Sequence, residues 1–153
     1  MIQFEQEWLN GNVSLGAVAG WTADEMRLVS ELGFSLAEQG LNQEAIVIFE
    51  GLMALAPATV YFEAALGALW LRENEPIRAL PHLNAALAAD AGDITSRLNR
   101  GEVFLKLENY EAARKDLNFV LRQKKSAETN IIHEQSLTRA RALLAAVERF
   151  SAI

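Results

Sequence analysis

The side chains best suited to chemistry in this chain are two histidines, His82 and His133, and twenty carboxylates. A zinc-protease site needs two histidines one helical turn apart, with a glutamate beside the first to activate water. His133-Glu134 has no second histidine at that spacing, and His82 has no ligand partner in its own stretch of sequence. The chain contains no cysteine, which removes disulfides, thiolate metal sites and thiol redox chemistry together. There is no glycine-rich phosphate loop, nucleophile elbow or paired-carboxylate motif, and the glutamates are spaced as on solvated helix faces. The inventory therefore points away from an enzyme and implies no cofactor and no metal. The densest basic run is RQKK, Arg122 to Lys125, where a helix should end. Cations are favourable at a helix C-terminus. A nucleic-acid binder would instead carry a basic stripe with aromatic or polar readers, so no nucleic-acid partner is expected.

With catalysis set aside, the 153 residues and 51% hydrophobic content are enough for one domain with a real core. No segment nears the 18 or so apolar residues of a membrane span, and the start, MIQFEQEWLNGN, has no secretory leader pattern. A cytoplasmic protein that does not insert into membranes is the expectation. Charge is unevenly placed: residues 1–93 hold 13 acidic and 3 basic side chains, whereas residues 94–153 hold 7 acidic and 11 basic ones.

The organising signal is a period of 34 residues. Leu32-Gly33 is answered by Leu66-Gly67 and then by Arg100-Gly101; Ala45 by Ala79 and Ala113; Phe49 by Leu83 and Leu117. The position three after each glycine holds Leu36, Trp70 and Phe104, and Pro57 closes the first unit, where Ala91 and Lys125 stand in the others. This is the tetratricopeptide pattern of paired helices. The fold class is therefore all-α: three helix pairs, 26–59, 60–93 and 94–127, in a right-handed superhelix. Small residues on both helices of a pair let the backbones approach, and Phe49, Leu83 and Leu117 are expected to fill the gap towards the next pair.

Boundary residues agree. Thr22-Ala-Asp-Glu25 is a capping box, flanked by Trp21 and Met26 at staple positions, so the repeat region should begin at residue 22. Gln39 to Asn42, Glu73 to Pro76 and Leu107 to Asn109 read as the turns inside each pair, with Pro76 suited to a first helical turn. Pro81 is expected to kink or delay its helix. Residues 128–153 should form a capping helix, with Leu137, Ala140, Leu144, Val147 and Phe150 on one apolar stripe and Arg139, Arg141 and Arg149 largely off it. Residues 1–21 combine a helix around FEQEWL with an apolar, glycine-rich run that either the first repeat or another copy of the chain should cover.

Such an array works by presenting the first helix of each pair on a concave surface. The groove positions are Arg27, Ser30, Glu31, Phe34, Ala37 and Glu38 in the first unit. In the second they are Tyr61, Ala64, Ala65, Ala68, Leu71 and Arg72, and in the third Thr95, Leu98, Asn99, Glu102, Leu105 and Lys106. The middle of this surface is small and apolar. It suits an extended protein segment with two or three apolar anchors, each able to contribute about 1.5–3 kcal/mol on burial. A flanking segment of the same chain is the alternative occupant. Tetratricopeptide domains that clamp a C-terminal carboxylate use Lys, Arg and Asn at groove sites where this chain has Ser30, Phe34, Ala65 and Asn99, which argues against a clamp.

The run WLNGNVSLGAVAGWTADEMRLVSELGF, Trp8 to Phe34, resembles the N-terminal region of class II type III secretion chaperones, and the likeness continues to ALLAAVERF near the end. The resemblance implies a cytoplasmic chaperone that holds an extended segment of a hydrophobic translocator, or of another export substrate, in its groove and so prevents aggregation. It also implies a homodimer formed through the N-terminal extension, with Trp8, Leu9, Val13, Leu15 and Val18 as the dimerisation residues. Where members of that family often place tyrosines in the first-repeat groove, this chain has Ser30 and Ala37. A general tetratricopeptide scaffold for a cytoplasmic complex is the alternative.

Overall fold

The computed structural model describes residues 15–57, 59–123 and 130–152. Its helices are α1 (Leu15–Val18), α2 (Ala23–Glu38), α3 (Asn42–Leu55), α4 (Val60–Arg72), α5 (Pro76–Ala89), α6 (Ile94–Lys106), α7 (Tyr110–Leu121) and α8 (Asn130–Phe150). No strand occurs among the described residues. Helices α2 to α7 pack as three consecutive antiparallel pairs, each pair also packs on the next, and α8 lies on α7 and α6. The all-α repeat architecture expected from the 34-residue period is the architecture observed.

Each pair closes on the same contact. A Cβ added to Gly33 would come within 2.9 Å of the Phe49 ring, one on Gly67 within 2.6 Å of Leu83, and one on Gly101 within 2.9 Å of Leu117. Phe49, Leu83 and Leu117 are fully buried. They therefore lie against the glycine of their own pair, rather than serving only the gap to the next; Phe49 does both, its ring centroid being 6.1 Å from that of Phe62 on α4.

The turns inside the pairs are equally regular. Gly40, Asn74 and Glu108, spaced 34 apart, all have positive φ, of 80°, 60° and 60°. In each case the next residue's N–H returns to the carbonyl five residues earlier: Leu41 to Leu36, Glu75 to Trp70 and Asn109 to Phe104, all at 2.9 Å. These are Schellman-type helix ends, in which a left-handed residue lets the last orphan carbonyls find donors. The next helix then starts from Pro76 in α5, where a missing N–H costs nothing. Pro81 neither delays nor ends α5, which runs to Ala89 with Pro81 inside it on an exposed face.

The flanks are covered partly as expected. Thr22 and Glu25 form the full capping box of α2, with Glu25 N–H donating to Thr22 Oγ1 at 3.2 Å and Thr22 N–H to the Glu25 carboxylate at 2.8 Å. Gly16 of α1 is buried, and a Cβ there would lie 3.0 Å from the Leu55 carbonyl, so α1 packs on the end of α3 in the same chain. The helix expected around FEQEWL, and Trp8, Leu9 and Val13, lie outside the described residues, as do the side chains of Leu15 and Val18. On α8, Leu137, Ala140 and Val147 are buried and Leu144 is half-buried, but Phe150, the last residue of the helix, is 50% exposed. No described helix is long and apolar enough to cross a membrane.

Candidate functional site

The first helices of the three pairs, α2, α4 and α6, line a run of three clefts that share walls. The largest, about 520 Å³, lies over α4 between Phe34, Tyr61, Ala64, Ala65 and Ala68, with Val60, Ala86, Asp90, Asp93 and Thr95 completing the wall. A second, about 210 Å³, continues past Phe34, Ala65 and Ala68 to Ala37, Glu38 and Arg72. A third, about 240 Å³, runs from Ala68 and Leu71 to Thr95, Asn99, Glu102 and Arg139. Together they form a continuous trough.

Small residues make the room. Ala64, Ala65 and Ala68 occupy one face of α4, and their short side chains leave depth that larger residues would fill. Aromatic rings form one end: Phe34 lies 4.8 Å from Phe49 edge-on and 5.1 Å from Tyr61, tilted. Phe34 is thus braced by a buried ring, while Tyr61 remains 58% exposed. A side chain entering the first cleft would meet an apolar floor and a rigid aromatic wall.

The groove positions expected from sequence divide. Phe34, Ala37, Tyr61, Ala64, Ala65, Ala68, Leu71 and Glu102 all line the clefts. Ser30 does not; its hydroxyl donates back to the Arg27 carbonyl at 2.8 Å. Leu98 is 3% exposed and sits in the core formed by α6, α7 and α8 rather than on the trough. Leu105 is half-buried against the same core. These two face inward because α8 covers α6 from the side, and a three-pair template without the eighth helix places them on the open face.

The structure adds residues that the template omits. Arg139 of α8 reaches back to donate to Asn99 Oδ1 at 3.1 Å and to Glu102 at 2.6 Å, closing the far end of the trough. Asp90 and Asp93, in the connection between α5 and α6, edge the first cleft. The cap role of Asp93 was open to sequence reasoning, since an aspartate ahead of a helical stretch is a natural N-cap; its carboxylate accepts the N–H groups of Thr95 and Ser96.

Neither the His82–Glu63 pair nor the most buried ion pair lines the trough. His82 Nδ1 is 2.6 Å from the Glu63 carboxylate. Among the described residues no three potential metal ligands cluster. The most buried charge, Asp116 at 2% exposure, accepts from Arg97 at 3.1 Å and from both Arg100 Nε and Nη2 at 2.7 and 2.9 Å. Asp116 and Arg97 stand 34 residues after His82 and Glu63, so the two pairs are the same repeat position with the acid and its partner exchanged. Such a pair, on the seam between helices and satisfied internally, ties the fold together.

No protein-family model matches the sequence, and no curated protein matches it by sequence. Solved structures do match. A type III secretion complex from Aeromonas hydrophila superimposes with a TM-score of 0.79 at 18% identity, with 99% of each chain covered. The Yersinia enterocolitica type III secretion chaperone SycD, in complex with a peptide of the translocator YopD, matches with a TM-score of 0.73 at 17% identity, covering 85% of this chain and 97% of SycD. The first tetratricopeptide domain of Spaghetti (RPAP3), bound to an HSP90 peptide, matches with a TM-score of 0.71 at 20% identity, covering 86% of this chain and 97% of that one. At these identities the likeness establishes the fold, which this chain shares with translocator chaperones of type III secretion and with tetratricopeptide peptide-binding domains.

Proposed function

We propose that this chain is a cytoplasmic type III secretion chaperone whose trough holds an extended, apolar segment of a translocator or another export substrate until secretion. The observation that carries the proposal is the apolar first cleft, walled by Phe34 and Tyr61 and floored by Ala64, Ala65 and Ala68, on a fold shared with a chaperone bound to a translocator peptide. Holding a sticky segment in such a cleft removes apolar surface from water, which is the driving force for aggregation of the free cargo. No step of this function needs catalysis, metal or cofactor. The resemblance of the N-terminal extension adds a homodimer to the proposal, and the mass of the purified protein in solution reads it out.

A general scaffold is the second reading, favoured by the match to a tetratricopeptide domain bound to an HSP90 peptide. The groove chemistry separates the two, because Ser30, Phe34, Ala65 and Asn99 offer no cation to a C-terminal carboxylate. The test is affinity purification from the native cytoplasm with wild type and Ala65→Arg, each checked for helicity. Recovery of an aggregation-prone secreted protein by wild type alone supports the chaperone. Recovery of the same stable, soluble partners by both proteins contradicts it.

A further inference from the structure

The wall of the first cleft carries eight uncharged residues and two carboxylates, Asp90 and Asp93. Neither carboxylate forms an ion pair among the described residues. Asp93 accepts the N–H groups of Thr95 and Ser96, and Asp90 accepts the Gly92 N–H at 2.9 Å. These backbone donors orient the carboxylates without neutralising them. The cation on the same segment, Arg97, is committed elsewhere: it donates to the Ala91 carbonyl and to Asp116, and its guanidinium lies 4.0 Å over the Phe119 ring. The far end of the trough differs, because there Arg139 is met by Glu102 and Asn99, and Arg72 donates to the Ala37 carbonyl. Within the first cleft, charge without an ionic partner is thus confined to the edge formed by Asp90 and Asp93; in the second, Arg72 likewise meets only a carbonyl.

Resting on the peptide-binding reading above, we propose that Asp90 and Asp93 select the occupant: a segment in which a lysine or arginine flanks the apolar anchor seated on Ala64, Ala65 and Ala68. The stem of such a side chain packs along the apolar rim while its head stays partly in water beside the carboxylates. The adjacent apolar wall weakens solvent screening of the pair relative to an open surface. An acidic flank in the same place meets two like charges. The edge therefore acts on which segment binds and in which direction, more than on total affinity.

The test is to pan a displayed library of random peptides on three proteins: wild type, Asp90→Asn/Asp93→Asn, and Ala65→Arg. Asparagine keeps the Gly92 turn hydrogen bond at position 90 and one of the two cap hydrogen bonds at position 93, where it is itself a favoured N-cap, so the double variant removes charge and retains the helix start. Wild type should enrich peptides with Lys or Arg beside an apolar residue, and the double variant should enrich the apolar residues alone. For a selected peptide, Lys→Gln should weaken binding to wild type about three- to fivefold, as a partly exposed pair would, and leave binding to the double variant unchanged. Apolar enrichment without basic enrichment, or an equal Lys→Gln loss on both proteins, overturns the charge selection and leaves the groove reading standing. Selected peptides that bind Ala65→Arg as well as wild type overturn the groove reading, and this inference with it.

Discussion

Glu108 shows how the repeat constrains individual residues. It holds the left-handed position that Gly40 fills in the first turn, with φ of 60°, and a side chain there costs about 1–2 kcal/mol. It is exposed and its turn bonds are backbone only, so Glu108→Gly should stabilise the protein by roughly 0.5–1 kcal/mol after the entropy cost of glycine. A thermal melt reads this as a raised Tm. Gly67 sets the opposite case. A methyl there collides with Leu83, which is fully buried and cannot retreat, so Gly67→Ala should destabilise by about 1–3 kcal/mol in urea unfolding. Asp116→Ala leaves Arg97 and Arg100 facing each other without their common partner and should cost about 3 kcal/mol in the same measurement. The glycines were legible from their 34-residue spacing. Asp116 was not, since one buried aspartate among many exposed acids carries no local mark, and only its register with His82 hints at a seam position.

At the scale of elements, one carboxylate caps a helix and two join helices that the repeat alone does not hold. Glu25 caps α2, and the N–H and then the hydroxyl of Thr22 hold its carboxyl below the usual value near 4.5. Glu73, at the end of α4, is lowered by the side-chain amides of Gln43 and then Asn42 at the start of α3, tying the first pair to the second. Glu148 on α8 is lowered by its hydrogen bonds from Arg114 on α7, whose own value is raised by Glu148. A lowered folded-state value means that each contribution is present above the ordinary carboxylate range and is lost as pH falls through the folded value. Tm should therefore be level from neutral pH to about 5 and fall below about 4.5. The triple variant Glu25→Gln/Glu73→Gln/Glu148→Gln should start lower at neutral pH and lose less on acidification; an unchanged slope would remove these junctions as its cause. The capping box was readable because both partners lie within one turn. The Glu73 and Glu148 bonds span about thirty residues, and no short-range pattern reports them. The delay expected at Pro81 does not occur for a related reason: packing of α5 on α4 holds the helix together across one missing donor.

For the whole molecule, the face formed by α2, α4 and α6 was legible in outline, because helix pairing fixes which helices face the groove. Its ends were not. Leu98 and Leu105 turn inward under α8, and Arg139 enters the trough from outside the repeats. The central claim is that the trough around Ala65 holds an extended cargo segment. The most direct test places a photoreactive residue either at Tyr61, in the cleft wall, or at Ile77, which is 75% exposed on α5 outside the cleft lining. Cross-linking is then triggered in cells that run type III secretion. The account predicts an adduct with a secreted, membrane-active protein from position 61 and none from position 77. Equal adducts from both positions, or an adduct from 77 alone, would contradict it.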